Sequence, residues 1–164
     1  VNPIRTAALA ALAAALLPGL AACSKEANAP ADAAATASAS AGLTVTNARV
    51  VLPPVAGNPA AVYFDLAYTG APGVTLDSVD VEGAGMTMIH DYAETAGKAQ
   101  MVMADAVPLA EGTPLSFAPG GLHVMAMDPT DALKAGGTAK VTFTLSNGMT
   151  ATIDAPVRAA GDER

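Results

Sequence analysis

From Leu43 onward the chain runs in short apolar stretches broken by Gly, Pro, Asn and Asp, the rhythm of strands separated by turns. Val62, Phe64, Leu66 and Tyr68 alternate with Tyr63, Asp65 and Ala67, and Val141, Phe143 and Leu145 alternate with Thr142 and Thr144. Successive side chains on a strand point to opposite faces, so both segments predict half-buried strands. The same reasoning places strands over Leu43–Leu52, Val74–Val81, Met86–Tyr92, Gln100–Met103, Leu122–Met127 and Thr150–Val157. Asn147-Gly148 tolerates positive φ and predicts a hairpin with a type I′ turn. One helical turn is expected at Pro129–Leu133, too short to alter the class. Seven or more strands at this spacing, with no long helical periodicity, predict an all-β fold: a Greek-key antiparallel β-sandwich or barrel.

Upstream of Leu43 the pattern is different. The only charge in the first 22 residues is Arg5, and an apolar run from Thr6 to Leu17 follows it, ending in Leu20-Ala21-Ala22-Cys23. That is the layout of a secretory signal. The run is too short to span a membrane, which takes about 20 apolar residues. The small residues before the cysteine resemble the lipobox of bacterial lipoproteins, which implies that Cys23 is acylated and heads the mature chain. Ser24–Gly42 holds no apolar side chain larger than Ala apart from proline. Such a segment cannot bury enough surface to order itself, and it reads as a disordered tether. The expected organisation is therefore a signal peptide over 1–22, lipidated Cys23 and linker over 23–42, one folded domain over 43–158 and a tail over 159–164. A domain of this size needs neither disulfides nor a structural metal to close its core.

Charge and chemistry then remove whole classes of function. The net charge is -7 and the eight Lys and Arg are scattered singly, so no basic stripe exists to engage phosphates, and nucleic acid is not an expected partner. Cys23 is the only cysteine. Disulfides, CxxC redox chemistry, thiolate zinc sites and blue-copper ligation are excluded together. There is no Gly-x-Ser-x-Gly elbow and no phosphate-binding glycine loop, so an enzyme is not expected.

The methionines are the feature that remains. Six of the seven fall in three Met-x-Met pairs: Met86 and Met88, Met101 and Met103, Met125 and Met127. Residues two apart on a strand share a face, and His90 continues the first pair in phase while His123 leads the third. Thioether sulfur is soft and imidazole accepts borderline metals, so a mixed His and Met set favours Cu(I) over hard cations.

At this point the sequence resembles a known family. His90, ten residues, Met101, twenty-one residues, His123, one residue and Met125 reproduce the signature of the PCu(A)C periplasmic copper chaperones. The segment Pro119-Gly120-Gly121-Leu122-His123-Val124-Met125-Ala126-Met127 is similar to that family's Pro-Gly-Gly-x-His-x-Met-x-Met stretch, and Ala61-Val62-Tyr63 resembles its early strand. Ile89 and Asp128-Pro129 depart from the family pattern without touching the four ligands.

The resemblance implies a cupredoxin-like sandwich that binds one Cu(I) through His90, Met101, His123 and Met125. It also implies delivery of that copper to the dinuclear centre of cytochrome c oxidase. The expected partner is the copper-bearing oxidase subunit or another copper chaperone. The protein would be a monomer, lipid-anchored on the periplasmic face of the envelope, and Ser24 beside Cys23 favours the outer membrane. Met88, Met103 and Met127 are expected in packing rather than among the ligands, and Met149 likewise. Pro119-Gly120-Gly121 is expected to make the tight turn that presents His123. Copper storage or tolerance, and a metal-free adhesive module, are the competing readings.

Overall fold

The computed structural model describes residues 38–40 and 42–162. The proposed signal segment, Cys23 and most of the tether lie outside the described residues. In chain order the strands are β1 (Ser38–Ser40), β2 (Leu43–Val51), β3 (Ala60–Tyr68), β4 (Thr75–Val81), β5 (Met86–Thr95) and β6 (Lys98–Met103). They continue with β7 (Val107–Pro108), β8 (Leu115–Phe117), β9 (His123–Met127), β10 (Thr138–Leu145) and β11 (Thr150–Arg158). The predicted alternation is realised: Val62, Phe64, Leu66 and Tyr68 of β3 and Val141, Phe143 and Leu145 of β10 are all buried. Phe64 stacks on Phe117 at 4.1 Å between ring centroids and meets Phe143 edge-on at 5.0 Å. These aromatic contacts join strands far apart in sequence at the centre of the core.

Hydrogen-bonded neighbours run in the order β6-β5-β9-β3-β2-β11-β10-β4-β7, with β1 added to β2 and β8 to β3. β4 also packs against β5 and β9 without pairing to them, which folds the path over one buried core. Two expectations need correction. The sandwich is not wholly antiparallel, because β2 and β11 pair in parallel at Val50↔Val157 and Val51↔Arg158. No helix occurs among the described residues. The stretch around Pro129–Leu133 is a turn, held by Leu133 N–H donating to Thr130 O at 3.0 Å and Thr130 Oγ1 donating to Gly83 O at 3.0 Å.

The β10–β11 hairpin forms as expected but not through a type I′ turn. Only Gly148 has positive φ (80°), whereas type I′ requires it at Asn147 too. Gly148 N–H donates to Leu145 O and Leu145 N–H to Met149 O, each at 2.9 Å, closing a three-residue loop. Ser38–Ser40, within the stretch read as tether, pair antiparallel with β2 from Ser38↔Val45 to Ser40↔Leu43.

The segment that carries the candidate ligands leaves and rejoins a single edge of β3. Phe117 lies opposite Phe64 and Val124 opposite Val62, so the chain loops out over residues 118–123 while β3 advances by two. Ala118 N–H donates to Leu122 O at 2.7 Å and Gly121 N–H to Ala118 O at 3.1 Å, pinching the loop at its base. Pro119 and Gly120 occupy its centre, and Gly120 has φ 84°. Proline followed by a positive-φ glycine is the arrangement of a type II turn. The expected tight turn is present, as an excursion between β8 and β9 along one side of β3 rather than as a reversal.

The start of the excursion is clamped from outside. Asn47 sits at a register shift of β2 with φ 54°, and its Nδ2 donates to Asp65 Oδ2 at 2.7 Å. Ser116 Oγ donates to Asp65 Oδ1 at 2.7 Å. These two hydrogen bonds, Asn47 first, hold the Asp65 carboxyl below its ordinary pKa, aided by Arg49 and opposed by partial burial. The carboxylate thus ties β2, β3 and β8 together where β8 ends.

Candidate metal centre

Antiparallel register assembles the methionines and histidines on one face. Along β5 and β9, Met86 is opposite Met127, Met88 opposite Met125 and His90 opposite His123. Along β5 and β6, His90 is opposite Met103 and Tyr92 opposite Met101. Directly opposed residues share a face, and so do residues two apart. One side of β6-β5-β9 therefore presents all six paired methionines, both histidines and Tyr92. The other side sends Ile89, Val124 and Ala126 into the core.

His123 is oriented by the loop that precedes it. It is buried, and its Nδ1 lies 2.8 Å from Gly121 O. A carbonyl can only accept, so Nδ1 donates, and the neutral ring keeps its lone pair on Nε2. Tyr92 stacks on this ring with centroids 5.8 Å apart and planes 29° apart. The Pro-Gly-Gly turn thereby sets both the position and the tautomer of His123.

His90 is the most unusual side chain of the face. Its ring centroid is 5.8 Å from that of His123 at 66° between planes. Both its nitrogens are buried, and neither has a hydrogen-bond partner among the described residues. Leaving a buried polar group unpaired costs about 1–3 kcal/mol, and such a group in a folded protein calls for an explanation such as an ion. Burial pushes the His90 pKa below its ordinary value, and the neighbouring His123 adds to the effect. Both influences favour the neutral imidazole that a metal requires.

The four sequence-predicted ligands are brought to one patch, though not at equal range. His90 and His123 are direct partners, and Met125 is the next same-face residue on β9. Met101 is opposite Tyr92, one diagonal step from His90, a separation of about 7–8 Å that long side chains bridge. Met103, expected in packing, is directly opposite His90 and 61% exposed. Met149 is likewise exposed, whereas Met88 and Met127 are half-buried, which is compatible with the packing expected of them. These positions lie on the outer face of the sheet or beside the hairpin loop. Tyr92 was not among the candidate residues, although its place two residues after His90 carried the signal.

No group of three or more His, Cys, Asp or Glu gathers among the described residues, so a carboxylate-rich or thiolate zinc site is not available here. What the patch offers is imidazole nitrogen and thioether sulfur, a donor set suited to a soft monovalent ion.

Comparison with known proteins identifies the family and the fold. A family model described as "Putative lipoprotein LpqE-like" matches residues 43–157. A Leifsonia xyli subsp. xyli protein named "Putative lipoprotein Lxx21020" is 28% identical over 146 residues, covering 88% of this chain and 86% of its own. The copper-bound PCuAC domain from PmoF2 superimposes with a TM-score of 0.63 at 22% identity, over 76% of this chain and 98% of that one. The CuI form of DR1885 from Deinococcus radiodurans gives 0.58 at 25% identity, over 71% and 78%. The fold is that of PCuAC domains, as the resemblance implied.

Proposed function

Because the chain belongs to the LpqE-like lipoprotein family, we propose that it carries Cu(I) in the bacterial cell envelope, bound by His90, Met101, His123 and Met125. The observation that carries this reading is His90, with both ring nitrogens buried and without a hydrogen-bond partner among the described residues, beside His123, whose Nδ1 is held by Gly121 O. Two solved neighbours in fold are themselves named as copper-bound and CuI forms, which supports the choice of ion.

All four donors are neutral, so the bound ion keeps its charge and lacks the strong thiolate attraction that would make release difficult. That property suits a carrier rather than an enzyme. Met101 is 44% exposed and lies on β6, at the end of the strand order, where an acceptor can reach the metal. The acceptor in this reading is the dinuclear copper centre of cytochrome c oxidase, reached directly or through another copper chaperone. Acylation of Cys23 would hold the domain at the periplasmic face, in the outer membrane by the Ser24 sorting preference. A tether raises the effective concentration of carrier near a membrane-bound acceptor.

Transfer is tested by mixing the Cu(I)-loaded chain anaerobically with the apo soluble domain of an oxidase copper subunit, separating the two proteins and measuring the copper bound to each. Metallation by the parent and not by the Met101→Ala variant is expected. Retention of copper by the parent would refute delivery to that acceptor.

A further inference from the structure

The face carries more thioethers than the proposed ligand set uses. Beyond the His90–His123 row, Met88 lies opposite Met125 and Met86 opposite Met127, so four methionines form two adjacent rows on neighbouring strands. Opposed residues have Cβ atoms about 4.5–5.5 Å apart. Successive same-face residues are about 7 Å apart along a strand. Methionine has three rotatable bonds beyond Cα, so the sulfurs of Met86, Met88 and Met127 can converge without backbone movement.

Packing accounts for these side chains only in part. On the same strands Ile89, Val124 and Ala126 are buried, whereas Met86 is 56% exposed and Met88 and Met127 are half-buried. Exposing an apolar side chain forfeits the stabilisation that its burial would contribute. Three methionines in phase on an outer surface are therefore better explained by their sulfur than by their hydrophobicity.

A negative charge stands at the outer end of the ladder. Asp128 follows Met127 with φ 49°, and its Oδ2 lies 3.4 Å from where a Cβ on Gly85 would sit. Gly85 is the residue before Met86, and its N–H donates to Met127 O at 2.9 Å. Gly85 and Asp128 thus close the end of the ladder just beyond the Met86–Met127 row.

We infer that Met86, Met88 and Met127 form a second Cu(I) site, nearer to solvent than the histidine pair and contiguous with it through the opposed Met88 and Met125. It binds more weakly than the first, having no imidazole, and serves as the position through which copper exchanges with the His90–His123 centre. The inference rests on the copper-carrier reading and revises the expected stoichiometry of one.

The test is an anaerobic Cu(I) titration of the full chain carrying Cys23→Ser, which removes thiolate competition, followed by NMR of methionine methyls labelled with carbon-13. The first equivalent is expected to move Met101 and Met125, and the second to move Met86, Met88 and Met127 while Met149 stays in place. A Met86→Leu/Met127→Leu variant, close to volume-conserving and so well tolerated, should keep the first response and lose the second. Methyls of Met86 and Met127 that stay still between the first and second equivalents would overturn the second site and leave the histidine centre standing. Absence of any movement at Met101 and Met125 would instead bring down the copper reading, and the second site with it.

Discussion

His90 and His123 are register partners across β5 and β9, with ring centroids 5.8 Å apart and planes inclined at 66°. Among the described residues only His123 has a hydrogen-bonded nitrogen; those of His90 are buried and unpaired there. Replacing His90 by leucine removes an unsatisfied polar group worth about 1–3 kcal/mol of destabilisation. The His90→Leu apo protein should therefore have a urea midpoint equal to or above the parent's. Its Cu(I) affinity should fall by more than roughly 100-fold, the scale seen when a mere supporting partner of a metal ligand is lost. A variant that loses stability as well as copper would mean that His90 serves the fold.

The same histidine sets a pH dependence. Its pKa is lowered by burial, then by His123, relative to the ordinary value of 6.5. Below 6.5 the unfolded chain therefore binds more protons at this position than the folded one, and apo stability declines as the pH falls from there through the lowered value. Urea midpoints measured through this range should slope downward into acid for the parent and less steeply for His90→Leu. Copper affinity should follow the same direction, because thioethers do not titrate and imidazoles do. Affinity that stays flat down to about pH 5 would contradict a two-histidine site.

Two glycines separate the role of the loop from that of backbone strain. Gly120 (φ 84°) lies in the loop before His123 and Gly148 (φ 80°) in the β10–β11 hairpin, and a Cβ at either would meet nothing within 4 Å. Alanine at each position should cost about 1–2 kcal/mol through the left-handed backbone alone. Only Gly120→Ala should also weaken Cu(I) binding, because it disturbs the turn whose Gly121 carbonyl orients His123. Equal copper affinities in the two variants would deny the loop its positioning role.

Much of this was legible in the sequence because burial on a strand has period two. The alternation around Phe64 and Phe143 located both strands, and the in-phase Met-x-Met pairs located the face. What the pattern could not supply was register between strands distant in the chain. That Met86 meets Met127, and that Met103 rather than Met101 stands opposite His90, depends on pairings that no local window contains. Ser38–Ser40 has no bulky apolar residue to mark it as a strand and pairs through its backbone. The parallel β2–β11 contact is equally silent, since parallel and antiparallel neighbours leave the same apolar positions.

The core beneath the face makes a separate prediction. Phe64 is in contact with Phe117 and Phe143, from β8 and β10. Phe64→Ala should lower stability by about 3–5 kcal/mol, read from urea unfolding with an unchanged slope. A loss below about 1 kcal/mol would mean that the three rings do not form the centre of the core.

The most direct measurement is an anaerobic Cu(I) titration against a competing chelator. It compares the full chain carrying Cys23→Ser with the same chain also carrying Met101→Ala and His123→Ala. The account predicts a tight first equivalent in the former that is absent from the latter. Equal binding in both, or none in either, would contradict a copper centre built on His90, Met101, His123 and Met125.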